Sequence, residues 1–182
     1  DEEREVKERL RDLTRRIRET IKRLLDKNKD LARRIREVNK ETSEELERLA
    51  RDIERVLEEL KDVDEVVKRL KERLRELLRR SEEVNRRLDE ENKKSNKETE
   101  DVARRLLKEL RDLLEEVRRI NLPKKVLDEI REAAERVKRE IEELLKEVHR
   151  INTELNKDNT ELNKRNREIV ERVKRRIDER AR

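Results

Sequence analysis

The feature that most constrains this chain is an eighteen-residue recurrence in which polar residues interrupt an apolar stripe. Leu10, Asn28 and Leu46 are spaced this way, as are Ile21, Asn39 and Leu57. The spacing returns in Leu74, Asn92 and Leu110, in Leu77, Ser95 and Leu113, and in Ile141, Asn159 and Ile177. Eighteen residues make five turns of an α-helix at about 3.6 residues per turn. Each amide or hydroxyl therefore holds the angular position that a Leu or Ile holds five turns away. The pattern reads as polar layers buried inside a helical bundle. It constrains architecture much more than activity.

The stripe runs from Val6 through Leu10, Leu13, Ile17, Ile21 and Leu24 and onward to Leu60, at a mean step of about 3.6 residues. A strict heptad would step by about 3.5 and impose a left-handed supercoil. Nearly straight helices with little superhelical twist are expected. Two breaks divide the chain. At Lys61-Asp62-Val63-Asp64, Asp62 and Glu65 have capping-box spacing, and the acidic pair suits a helix N-terminus. At Asn121-Leu122-Pro123, Asn suits a left-handed helix end and Pro suits a first helical position. The expected helices are about 3–61, 63–120 and 123–180, each about 87 Å long at 1.5 Å per residue. Short connections make neighbours antiparallel. The predicted fold is all-α: a single domain over 1–182, a long, nearly untwisted, up-down-up three-helix bundle. One stretch contends with this. Asp89–Asp101 has no apolar residue and by itself resembles a linker, but it has no Gly or Pro and keeps Asn92, Ser95 and Thr99 on the apolar tracks. A continuous helix is expected there.

Composition narrows function by exclusion. The chain of 182 residues is 58% charged and 30% hydrophobic, with no Gly, Cys, Met or aromatic residue. High charge and low hydrophobicity suggest disorder in general, but the regular apolar spacing argues for long helices. The net charge of +5 is spread through interspersed signs. Runs such as Arg172–Arg176 are flanked by acids, which fits a solvated face better than a nucleic-acid site. Absence of Cys removes disulfides, thiol catalysis and Cys-ligated metals. No apolar run approaches the roughly 20 residues of a membrane span, and no signal peptide is visible, so a soluble chain is expected.

Folding the chain about residues 62 and 122 brings the polar positions level with one another. Asn39 falls level with Asn85 and with Asn156 or Asn159. Thr42 and Ser43 fall level with Ser81 and Asn163, Asn28 with Ser95, Asn96 and His149, and Asn92 with Asn152. With Thr99 and Asn166 these form the candidate buried network. An unpaired buried amide costs roughly 1–3 kcal/mol. A satisfied network offsets that cost and penalises a slipped register, because slipping sets Asn against Leu. Two other readings stand beside this one: solvated polarity without a network, and a weak centre that acts as a hinge.

Catalysis finds no support. With one His there is neither a Ser-His-Asp triad nor a multi-histidine metal site, and Glu-x-x-His is missing before His149. Without Gly there is no phosphate loop. The carboxylates sit beside Lys and Arg at helical spacing, as surface ion pairs. No enzyme activity, cofactor, metal or small-molecule substrate is expected.

Taken together, the Asn/Ser/Thr layers, the untwisted eighteen-residue repeat, the Gly-free loops and the Glu/Lys/Arg surface resemble de novo designed helical bundles with buried hydrogen-bond networks. The resemblance covers the whole chain and specifies a class. It implies recombinant origin and a scaffold role, or an oligomer whose networks set pairing. The competing expectation is an interaction module that self-associates or seats a partner helix, for which Leu78, Leu107, Leu114, Leu127 and Leu145 supply extra apolar positions.

Overall fold

In a computed structural model that describes residues 1–59 and 64–181, the chain forms three α-helices: α1 (Glu2–Glu59), α2 (Asp64–Arg119) and α3 (Lys124–Ala181). The expected all-α three-helix bundle is the observed fold. The Asp62–Glu65 capping box falls partly outside the described residues. α2 runs unbroken through Asp89–Asp101, as its conserved angular spacing required. The polar stretch stays helical because Asn92, Ser95 and Thr99 all remain buried on the inward face.

The α2–α3 connection differs from expectation. No described residue has a positive φ, so Asn121 does not take the left-handed conformation. Ile120 N donates to Val117 O at 3.2 Å, tightening the last turn of α2, and Leu122 N donates to Ile120 O at 3.0 Å across Asn121. This two-residue closure with negative φ is an inverse γ-turn. It reverses the chain without asking Asn121 for the left-handed region, which a Cβ disfavours. Pro123 O then accepts from Val126 N at 3.0 Å and Leu127 N at 3.1 Å. Pro123 thus caps α3, whose first helical residue is Lys124. Its missing N–H costs nothing there, since the first amides of a helix have no intrahelical partner.

Tertiary contacts divide the chain into two compact units. Unit 1 comprises 1–30 and 92–152, and unit 2 comprises 31–91 and 153–182. In unit 1, Arg9 pairs with Glu116, Arg16 with Glu109 and Lys27 with Glu98. Each step up α1 is matched by an equal step down α2, which makes the two antiparallel. Lys7–Glu129 and Arg18–Glu140 rise together, so α1 and α3 are parallel. The core of unit 1 includes Leu10, Ile17, Leu110, Ile130, Val137 and Ile141, with Ala103 and Ala134 where the helices come close. A smaller cluster of Leu24, Leu144 and Val148 continues it. In unit 2, Arg36–Asp158 and Arg172–Glu54 link parallel α1 and α3, while Arg167–Glu82 links antiparallel α3 and α2. Its core includes Leu46, Ala50, Ile53, Leu74, Val170 and Val173. Full burial of each such aliphatic side chain stabilises by roughly 1.5–3 kcal/mol. The surface ion pairs contribute at most about 1 kcal/mol each.

Burial follows the eighteen-residue tracks. Leu10, Asn28 and Leu46 are all buried, as are Leu74, Asn92 and Leu110. A step close to 3.6 residues keeps a track on the inward face across its whole length.

Candidate functional site: the buried polar layers

Nine polar side chains are buried among the described residues: Asn28, Asn39, Ser43, Ser81, Asn85, Asn92, Ser95, Thr99 and Asn166. Thr42, Asn96, Asn152, Asn159 and Asn163 are half-buried beside them. His149 and Asn156, expected in the buried set from their level along the helices, are exposed. The reason is angular. Val148, Ile151 and Leu155 take the inward face of α3, and a residue one step beyond an inward position is rotated by about 100°. Level along a helix does not by itself bring a side chain inside.

In unit 1, Asn28 Nδ2 donates to Thr99 Oγ1 at 3.0 Å and to Leu24 O at 2.8 Å. Thr99 Oγ1 in turn donates to Ser95 O at 3.0 Å. One amide thus uses both hydrogens, one to cross to α2 and one to return to its own helix. In unit 2, three bonds among the described polar-layer side chains cross between helices. Asn39 Nδ2 donates to Asn159 Oδ1, Ser43 Oγ donates to Asn166 Oδ1 at 3.0 Å, and Asn85 Nδ2 donates to Asn163 Oδ1 at 2.8 Å. Thr42 turns back to Val38 O at 2.9 Å.

The pairings differ from the counted ones by about one turn. Asn39 meets Asn159 as counted, but Asn85 reaches Asn163 and does not join them. Ser43 reaches Asn166, not Asn163, and Asn28 reaches Thr99, not Ser95 or Asn96. Asn152, counted opposite Asn92, ends in an amide oxygen to which no protein group donates. A count from turn centres is blind to how far a connection offsets the helix ends. Inward positions also recur only every three or four residues, so a small offset passes the bond to the next turn.

The ionisable groups are peripheral to these layers. Lys27 holds Glu98 below the usual carboxylate value, Arg9 does the same for Glu116 and Arg150 for Glu147, each mainly through a hydrogen bond to the acid. Glu140 raises Arg18 by hydrogen bonding and charge. These are exposed pairs at the edges of the helix contacts. Among the described residues, no group of three or more His, Cys, Asp or Glu is arranged to hold a metal ion, and no described helix is long and apolar enough to cross a membrane.

Comparison with known proteins finds a structural likeness. No family model matches the chain, and no curated protein matches it. A solved structure described as a computationally designed three helix bundle is similar, at 19% identity and a TM-score of 0.47. The match covers 98% of this chain and 88% of that one.

The grooves between helices are lined by side chains the packing already uses. One of about 540 Å³ in unit 1 is lined by Leu10, Thr14, Ile130, Ala133 and Val137 together with Lys7, Arg18 and Glu129, which are ion-paired. The small side chains Thr14 and Ala133 leave it as a trough.

Proposed function

We propose that this chain is a structural scaffold without catalytic activity, and that its buried polar layers set which turn of each helix faces which turn of its neighbours. One observation carries the reading: short polar side chains, buried or half-buried among Leu, Ile and Val, bond across helices at Asn28–Thr99, Asn39–Asn159, Ser43–Asn166 and Asn85–Asn163. An apolar contact is indifferent to a one-turn slip, since Leu meets Leu again. A polar contact is not, since slipping leaves an amide against hydrocarbon at roughly 1–3 kcal/mol for each lost partner. The flanking apolar residues support a self-contained chain. Leu107, Leu114, Leu127 and Leu145 rest against the core of unit 1 and Leu78 against that of unit 2. Val66 is the large apolar side chain left exposed among the described residues.

The test removes the layers and reads the register. Asn39, Asn85, Asn159 and Asn163 are replaced together by Leu in a chain spin-labelled at Glu44→Cys and Lys157→Cys, exposed positions in a protein with no cysteine of its own. The parent should give one narrow label-to-label distance. The all-Leu variant should be more stable yet give a broadened or multiple distribution. A distribution as narrow as the parent's would refute the role assigned to the layers. Light scattering supplies the second measurement: a mass of 22.5 kDa is expected for a self-contained chain, and a multiple of it would favour the oligomeric alternative.

A further inference from the structure

The polar layer of unit 1 ends in oxygen atoms for which the protein supplies no donor. Asn28 Oδ1, Ser95 Oγ, Asn96 Oδ1 and Asn152 Oδ1 are all buried, and none has a hydrogen-bond partner in the chain. Asn28 is 1% exposed and Ser95 6%, so bulk solvent does not reach them. Unit 2 has one such atom, Asn85 Oδ1.

These four oxygens belong to one level of the unit. Asn28 is tied to Thr99, and Thr99 is tied back to Ser95 one turn earlier, beside Asn96. On α3, the parallel register set by Lys7–Glu129 and Arg18–Glu140, carried onward to Asn28, reaches the turn that contains Asn152. Leu24 and Val148 lie about one turn away along α1 and α3, and Leu144, in the same apolar cluster, about two. A direct bond from Asn28 to Thr99 satisfies one donor. It does nothing for four acceptors, each of which costs about 1–3 kcal/mol if left bare.

The identity of the atoms selects the occupant. Three are amide oxygens, which only accept, and the fourth is a hydroxyl, which both donates and accepts. A bound group must therefore be rich in donors. Oxygen lone pairs exclude an anion. A cation would find no carboxylate among the buried polar side chains of the layer to neutralise it. Water has two donors and no charge, and it is small enough to lie between facing side chains. Buried water characteristically makes about three bonds to such groups.

We propose that the unit 1 polar layer is a built-in hydration site, in which ordered water donates to Asn28 Oδ1 and Ser95 Oγ and bridges Asn96 Oδ1 on α2 to Asn152 Oδ1 on α3. The inference rests on the burial of these atoms and not on the scaffold reading. It separates the two units chemically: in unit 2 the helices bond mainly side chain to side chain, whereas in unit 1 α3 joins the layer through water.

Water–protein cross-relaxation measured by NMR on the full chain tests this. Long-lived contacts are expected from water to the side-chain amides of Asn28, Asn96 and Asn152, and none to the Asn39–Asn159 pair. Asn152→Leu should abolish the signal at Asn96 while the Asn28 amide keeps its bond to Thr99. Absence of long-lived water contacts at all three amides would overturn the proposal. A high-resolution crystal structure of the unmodified chain gives an independent reading. Ordered water within hydrogen-bond distance of these oxygens is expected. A direct Asn96–Asn152 amide pair with no water between them would overturn the bridge.

Discussion

Removing one hydroxyl should have opposite consequences depending on a residue 71 positions away. Thr99 is fully buried, and its Oγ1 accepts one of the two Asn28 amide hydrogens while the other goes to Leu24 O. Thr99→Val keeps the shape and replaces hydroxyl by methyl. It leaves one buried N–H of Asn28 unpaired, at about 1–3 kcal/mol, and returns about 0.8 kcal/mol from the added methyl. The net expectation is a loss of about 1 kcal/mol. Asn28→Leu alone should stabilise by about 2 kcal/mol. It buries an aliphatic side chain on the track that already holds Leu10 and Leu46, it removes an Oδ1 for which the chain supplies no donor, and it leaves Thr99 bonded to Ser95 O. In that background Thr99→Val strands nothing and should be neutral or slightly stabilising. The two sites should therefore couple by about 1–2 kcal/mol in a double-mutant cycle. Guanidinium unfolding of the four proteins, followed by far-UV circular dichroism, measures each step. A loss of 1.4 kcal/mol is about a tenfold change in the folded ratio, well within resolution. If Thr99→Val has the same effect in both backgrounds, the Asn28–Thr99 bond is not an energetic unit and the reasoning fails.

Other outcomes follow from the same structure. Ala50 and Ala103 have no exposed surface, so Ala50→Leu and Ala103→Leu should each cost about 1–3 kcal/mol by overpacking, lowering the denaturation midpoint. Glu98, Glu116 and Glu147 are held below the ordinary carboxylate value of 4.5 by Lys27, Arg9 and Arg150. Their contribution is complete above pH 4.5 and is lost as pH falls below it, through their folded-state values. Because these acids are exposed, thermal melts between pH 7 and pH 3 should show only a shallow decline, reduced further by salt. A steep acid collapse above pH 4.5 would contradict this expectation.

How much of this protein was legible beforehand varies with the physical scale. Helix number and the continuity of α2 were readable, because periodicity near 3.6 is a property of the chain alone and Asp89–Asp101 preserved it without apolar residues. Burial of Asn28, Asn39 and Asn92 was readable for the same reason, since each stands where Leu or Ile stands five turns away. The exposure of His149 and Asn156 was also present in the pattern. Each follows directly after an inward Val148 or Leu155, so its angle sets it outside although its level matches the polar belts.

The polar belts themselves were determined by sequence: a helical repeat specifies which face each Asn, Ser and Thr occupies. Only the tertiary structure decided which of them touch. Asn85 bonds to Asn163, Ser43 to Asn166 and Asn28 to Thr99, each about a turn from the counted partner. It also decided that four oxygens of one layer find no donor in the chain. Angular position is a local quantity, repeated along the backbone. Axial offset between helices is set by the connections and by packing over many side chains, and an error of one turn is enough to exchange one hydrogen-bond partner for the next.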